Sequence, residues 1–202
     1  MSHKIGIIDY NSSNLISLSK CLENLKFDFI ISSNSKRLNA CDILILPGVG
    51  TFENVMNFLK KNKLDKFIIK FSKNKSKKII GICIGMQILS IKGNETKNKK
   101  FINGLGLISS TTDKLNNFHI GWNKVKTIKF LKNKFNNKYF FFNHSFALKN
   151  IKNKICYGTF LFKKSKYSAI VKNNNIFGFQ FHPEKSHDIG SEILERVINY
   201  ED

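Results

Sequence analysis

Two short stretches of this 202-residue chain hold the side chains best suited to attack a carbonyl. The first is Gly81-Ile82-Cys83-Ile84-Gly85, set between the apolar run KIIGI and the helical pattern MQILS. A nucleophile at a sharp strand-to-helix turn has strained dihedrals, and flanking side chains would collide with nearby backbone, so glycines bracket it. A helix that starts directly behind the sulfur also favours the anionic nucleophile. The second stretch is Phe181-His182-Pro183-Glu184-Lys185-Ser186, following the run IFGFQF. A thiolate needs a base and a group that orients the base; His182 can move the proton while Glu184, two residues on, holds the imidazole tautomer. Taken singly, a buried cysteine beside two packing glycines and a histidine after a strand both have structural readings. Their pairing points to nucleophilic catalysis at Cys83. Cys21, Cys41 and Cys156 lack such neighbours and read as small buried apolar residues. The four cysteines form no CxxC pair, which suggests neither a disulfide framework nor a zinc site.

GICIGMQ and GFQFHPEKS, with PGVG at 47–50, resemble the motif set of the class I (triad) glutamine amidotransferases. Within that class the segments IDYNSSNL, PGVGTF, GLGLI at 104–108, HIGWN at 119–123, NHSF at 143–146 and FHPEKS at 181–186 follow one family's order. That family is the glutaminase subunit of imidazole glycerol phosphate synthase, HisH, and the similarity runs along nearly the whole chain. The resemblance implies that Cys83 attacks the carboxamide of L-glutamine, giving glutamate and ammonia through a γ-glutamyl thioester, with His182 and Glu184 completing the triad. It implies an oxyanion hole from the backbone N–H groups of Val49 and Ile84, in a loop that Gly48 and Gly50 keep mobile. Gln87 and Glu95 would help bind the glutamine amide and amino-acid head, and His144 and Ser145 would present backbone to it. Trp122, Asn123 and Lys185 match positions facing a synthase subunit; an ordinary core tryptophan is the other reading of Trp122. His119 and His187 are assigned no catalytic role. The partner implied is a HisF-type cyclase that takes the ammonia and forms imidazole glycerol phosphate and AICAR in histidine biosynthesis. An alternative keeps the glutaminase and sends its ammonia to amidination of a bacterial surface sugar. No metal or organic cofactor is implied. Three departures bear on the partner rather than the triad: Asn-Ser-Ser-Asn after Tyr10, Asn143 where a small apolar residue is common, and Phe146 in place of a tyrosine.

The elements that would position these residues follow from hydrophobic periodicity. Residues 4–10, 27–31, 42–46 and 78–82 are short Ile-rich runs suited to buried parallel strands. Between them, 14–26 carries Leu15, Leu18, Leu22 and Leu25 at helical spacing, and 52–71 is a second helical stretch broken near Asn62. This alternation predicts an α/β fold, a single class I glutamine amidotransferase-like domain over 1–202 with a mostly parallel sheet flanked by helices. The second half, with aromatic and β-branched runs at 118–128, 138–142, 155–161, 167–172 and 176–181, adds antiparallel or mixed strands. A last helix is predicted at 188–200, and the Lys/Asn segments 92–100 and 132–138 read as surface loops.

The start of the chain lacks the pattern of a signal peptide, and no apolar run reaches the roughly 18 residues of a membrane span. The expectation is a cytoplasmic protein in a reducing compartment. The formal net charge of +20 taken alone suggests nucleic acid, and a basic nucleic-acid-binding module without glutaminase activity is the rival of another class. Yet of 34 basic residues only Arg37 and Arg196 are arginine, the residue suited to bidentate recognition of phosphate and guanine. The lysines are scattered among 25 asparagines and read as a solvated face, so no nucleic acid is expected as a partner.

Overall fold

The computed structural model describes residues 3–10 and 15–201; the Asn-Ser-Ser-Asn departure falls outside them. The first half alternates as its periodicity predicts, with the short helix α2 in addition: β1 (Ile5–Ile8), α1 (Ile16–Asn24), β2 (Phe29–Ser32), α2 (Ser35–Asn39), β3 (Ile43–Leu46), α3 (Phe52–Lys61), α4 (Leu64–Ser72) and β4 (Lys78–Ile82). The break between α3 and α4 lies at Asn62 and Lys63, where Lys63 takes a left-handed φ of 57°. A one-turn helix α5 (Ile84–Gln87) precedes β5 (Ser90–Gly93), β6 (Ile102–Asn103) and a 20-residue strand β7 (Ile108–Thr127). There follow α6 (Lys132–Phe135), β8 (Lys138–Lys149), β9 (Cys156–Phe162), β10 (Ser165–Asn173), β11 (Ile176–Phe179) and α7 (His187–Ile198).

The described strands form one eleven-stranded sheet in the order β2-β1-β3-β4-β11-β10-β9-β7-β5-β6, with β8 paired to β7. Pairs from β2 through β11 are parallel, and β11, β10, β9, β7 and β8 are joined antiparallel. Strand period sorts the core onto two faces. In β3, Ile43 and Ile45 pack with α1 and α7, while Leu44 and Leu46 pack with α3 and α4. A run buried on both faces reads as continuous hydrophobicity, which is why ILIL shows no alternation.

Three expectations change. MQILS is helical only through Gln87, because Ser90 is fully buried and its hydroxyl pairs with the Thr112 hydroxyl at 3.1 Å, starting β5 at once. The segment 92–100 is not simply a surface loop, since Gly93 is buried and Glu95 half-buried. Likewise 132–138 holds α6, anchored by fully buried Phe135.

Candidate active site

β4 and β11 run side by side, pairing Gly81 with Gly178 and Ile82 with Phe179, and both end at the same edge of the sheet. The chain after each delivers one half of the site: Cys83 immediately after β4, and His182 three residues after β11. Cys83 has φ 48° and ψ −107°, a conformation rarely occupied by a residue with a side chain, and its N–H donates to the Phe179 carbonyl at 2.7 Å. The turn leaves no room beside it. A Cβ on Gly85 would overlap the Leu46 carbonyl oxygen, so the elbow packs backbone against β3. The helix behind the sulfur is one turn long, so the anion-favouring end expected there is that of a single turn rather than of a full helix.

His182 is fixed at several points. Its N–H donates to the Phe141 carbonyl at 2.9 Å, and its own carbonyl accepts from the Ser186 hydroxyl at 2.6 Å. Its Nδ1 is 2.8 Å from Glu184 Oε1 with both side chains buried, which leaves the other ring nitrogen for Cys83. Burial opposes charge on this imidazole. The negative charge of Cys83, its hydrogen bond with the ring, and Glu184 together outweigh that and push the His182 pKa up to about 10. At neutral pH the ring is therefore an imidazolium, held between the Cys83 sulfur and the Glu184 side chain.

A cavity of about 290 Å³ opens on this pair. It is lined by Gly48, Val49, Gly50, Cys83, Ile84, Gln87, Glu95, His144, Ser145, His182, Glu184 and Lys185, all picked from the sequence. Gly50 has φ +107°, which explains a glycine there. Ile84 opens α5, where first-turn N–H groups have no intrahelical partner. Glu95 is drawn inward: its Oε2 accepts from the Phe52 N–H at 2.8 Å at the start of α3, and burial raises its carboxyl pKa against that hydrogen bond.

Trp122 and Asn123 do not line the cavity. Trp122 is 45% exposed, not a core residue, and stacks on His187 at 4.9 Å. Asn123 donates to the Leu161 carbonyl at 2.8 Å.

Sequence reasoning missed Asn143 and Phe146 as lining residues and Gln180 beneath them. Gln180 is fully buried; its Nε2 lies 3.8 Å from Cys83 Sγ and its Oε1 accepts from Gln87 Nε2 at 3.3 Å. Phe177, Phe179 and Phe181 pack to one side of that stretch, so a glutamine turned to the other side was the available signal. Among the described residues no cluster of three metal-ligating side chains occurs, and no helix is long and apolar enough to cross a membrane.

This site can hold a carboxamide against a sulfur nucleophile with a proton donor beside it. Residues 6–199 match the sequence profile of the family described as glutamine amidotransferase class-I. The chain is 39% identical to the imidazole glycerol phosphate synthase subunit HisH of Methanocaldococcus jannaschii, covering 96% of this chain and 98% of that protein. It is 35% identical to the protein of the same name from Geobacillus sp. (strain WCH70), with 96% of each covered. A solved glutamine amidotransferase superposes with a TM-score of 0.76 over 95% of this chain and 96% of that one; at 12% identity this likeness speaks to the fold.

Proposed function

The chain belongs to the class-I glutamine amidotransferase family, and from that premise we propose that it is the glutaminase subunit of an imidazole glycerol phosphate synthase. The observation that carries the chemistry is Cys83 on its strained elbow beside a His182 held at 2.8 Å by Glu184.

L-Glutamine enters the cavity with its carboxamide at Cys83. The sulfur attacks the carbonyl carbon, and the oxyanion is met by backbone N–H groups of Ile84 and, once the 47–50 loop turns, Val49. The His182 imidazolium gives its proton to the departing ammonia, leaving a γ-glutamyl thioester. His182 then takes a proton from water, the hydroxide attacks the thioester, and glutamate leaves as the sulfur is regenerated. Glu184 holds the ring and its charge throughout. Gln87, Glu95 and the backbone of 143–146 position the amino-acid end.

The ammonia goes to a HisF-type cyclase, whose acceptor chemistry yields imidazole glycerol phosphate and AICAR. Phe118, Ile120 and Trp122 alternate on one exposed face of β7, next to the β8 residues that wall the cavity. Three exposed apolar side chains in a row suit a docking face, with Lys185 at the cavity rim. The similarity to HisH proteins over nearly the full chain supports the histidine route over sugar amidination.

The test is glutamate release by the chain alone, with a HisF-type cyclase, and with cyclase plus acceptor. Strong stimulation by the last combination, with imidazole glycerol phosphate formed, supports the reading. Equal turnover in all three conditions, or no product from glutamine, sinks it.

A further inference from the structure

His119 and His144 face each other across β7 and β8, buried, with His119 Nδ1 3.1 Å from His144 Nε2. His144 Nδ1 lies 2.8 Å from the Phe146 carbonyl, and His119 Nε2 lies 3.3 Å from Asn123 Nδ2. Only one proton arrangement satisfies all these contacts. A carbonyl oxygen only accepts, so His144 Nδ1 carries a proton. The Asn123 amide cannot be flipped, because its Nδ2 also donates to the Leu161 carbonyl and an oxygen there would face an oxygen. His119 Nε2 must therefore accept, its Nδ1 must donate, and His144 Nε2 must accept. Both rings are neutral and every hydrogen bond points inward.

The chain of bonds ends on the substrate cavity. The Phe146 carbonyl also accepts from Gln87 Nε2 at 2.7 Å, and Gln87 in turn reaches Gln180 and through it Cys83 Sγ. We propose that His119 and His144 are positioning residues for glutamine binding, a one-way pair of Nδ1-protonated imidazoles that fixes the Phe146 carbonyl and, through it, the Gln87 carboxamide on the cavity wall. The stacking agrees: Phe142, Phe160 and Phe162 lie against the His119 ring at 4.7, 5.2 and 4.2 Å, near parallel, and hold it in one orientation. The neutral state agrees too. Burial draws His119 down to about 4, and burial, His119 and His182 draw His144 down to about 3 against the pull of the Phe146 carbonyl.

This inference rests on the glutaminase reading, and the test separates the two. In the wild-type protein, ¹⁵N NMR of the imidazoles at neutral pH reads the tautomers without any activity; Nδ1–H on both rings is expected, and Nε2–H or double protonation on either overturns the proposal. In the complex with a HisF-type cyclase and acceptor, His119→Phe keeps the stack but removes the donor to His144, and His119→Asn restores a donor at the δ position. His119→Phe should raise KM for glutamine by about 5- to 10-fold with kcat within about twofold, the scale of one lost hydrogen bond in binding. His119→Asn should bring KM back to within about twofold of wild type. An unchanged KM in His119→Phe, a fall confined to kcat, or no rescue by His119→Asn overturns the positioning role. A wild-type complex that hydrolyses no glutamine while showing the expected tautomers would defeat the functional reading and leave the hydrogen-bond assignment standing.

Discussion

Gly48→Ala tests how tightly the nucleophile and base are caged. A Cβ there would sit 2.7 Å from His182 Cε1, 3.1 Å from its Nδ1 and 3.2 Å from Cys83 Cβ. Ordinary contact begins near 3.4 Å, so the imidazole must give way by 3.4 − 2.7 = 0.7 Å. It has little freedom to do so, with Glu184 at 2.8 Å on Nδ1 and its backbone bonded to Phe141 and Ser186. Overpacking of this kind costs about 1–3 kcal/mol of stability. A misplacement approaching 1 Å at a reacting group costs about 10²-fold in rate, so hydrolysis should fall by roughly that factor. Glutamine hydrolysis with the cyclase partner and the rate of labelling by a glutamine-analogue electrophile would be measured beside thermal unfolding. Gly106→Ala is the control: φ is +67° with nothing within 4 Å of a Cβ, so it should cost about 1 kcal/mol of stability and no activity. Wild-type turnover in folded Gly48→Ala would show that His182 is free to recede, and the cage described here would be wrong.

His182→Ala should cut hydrolysis by about 10²–10⁴-fold, the range of general acid–base catalysis, and Glu184→Gln by less, because an amide oxygen can still accept from Nδ1; steady-state kinetics with free ammonia as a bypass for the partner's reaction would check the order. In Cys83→Ala the largest influence raising His182 is gone while burial remains, so an NMR titration should find the ring pKa well below about 10. Since the folded value lies above the ordinary 6.5, the stability from the charged ring is complete below about pH 6.5 and lost as pH rises through about 10, a decline that urea unfolding should find smaller in Cys83→Ala. Lys78 Nζ donates to the carbonyls of Val197, Ile198 and Tyr200 at 2.8, 2.6 and 2.9 Å, capping α7. Lys78→Met should therefore cost about 2–3 kcal/mol in chemical unfolding. Labelling at Cys83, about 16 Å away along the strand, should stay within about twofold of wild type.

The first half of the fold was legible because its inner strands β1, β3 and β4 are buried on both faces and α1 carries Leu at helical spacing. β7 was half hidden. Its stretch from Ile108 to Asp113 alternates in burial, but the inward positions include Ser110 and Thr112. Thr112 is satisfied by Ser90 and the Gln87 carbonyl, so a hydrophobicity pattern passes over it. That Cys83, His182 and Glu184 meet at one cavity was readable from glycine spacing and the HPE order, since those are local demands on backbone and tautomer. Gln180, His119 and the true reach of Asn123 were not, because each acts through a partner 25 to 97 residues away along the chain. Glu95 shows the same limit: it sits in a lysine-rich stretch, but its carboxyl group is held by the start of α3.

The central claim is that hydrolysis runs through the Cys83 sulfur. The most direct measurement is release of glutamate from L-glutamine in the complex with a HisF-type cyclase and acceptor, comparing wild type with Cys83→Ala and with Cys21→Ala, Cys41→Ala and Cys156→Ala. Release should be lost in Cys83→Ala alone, with turnover retained in the other three. Persistent glutamate release from a folded, partner-bound Cys83→Ala protein would contradict it.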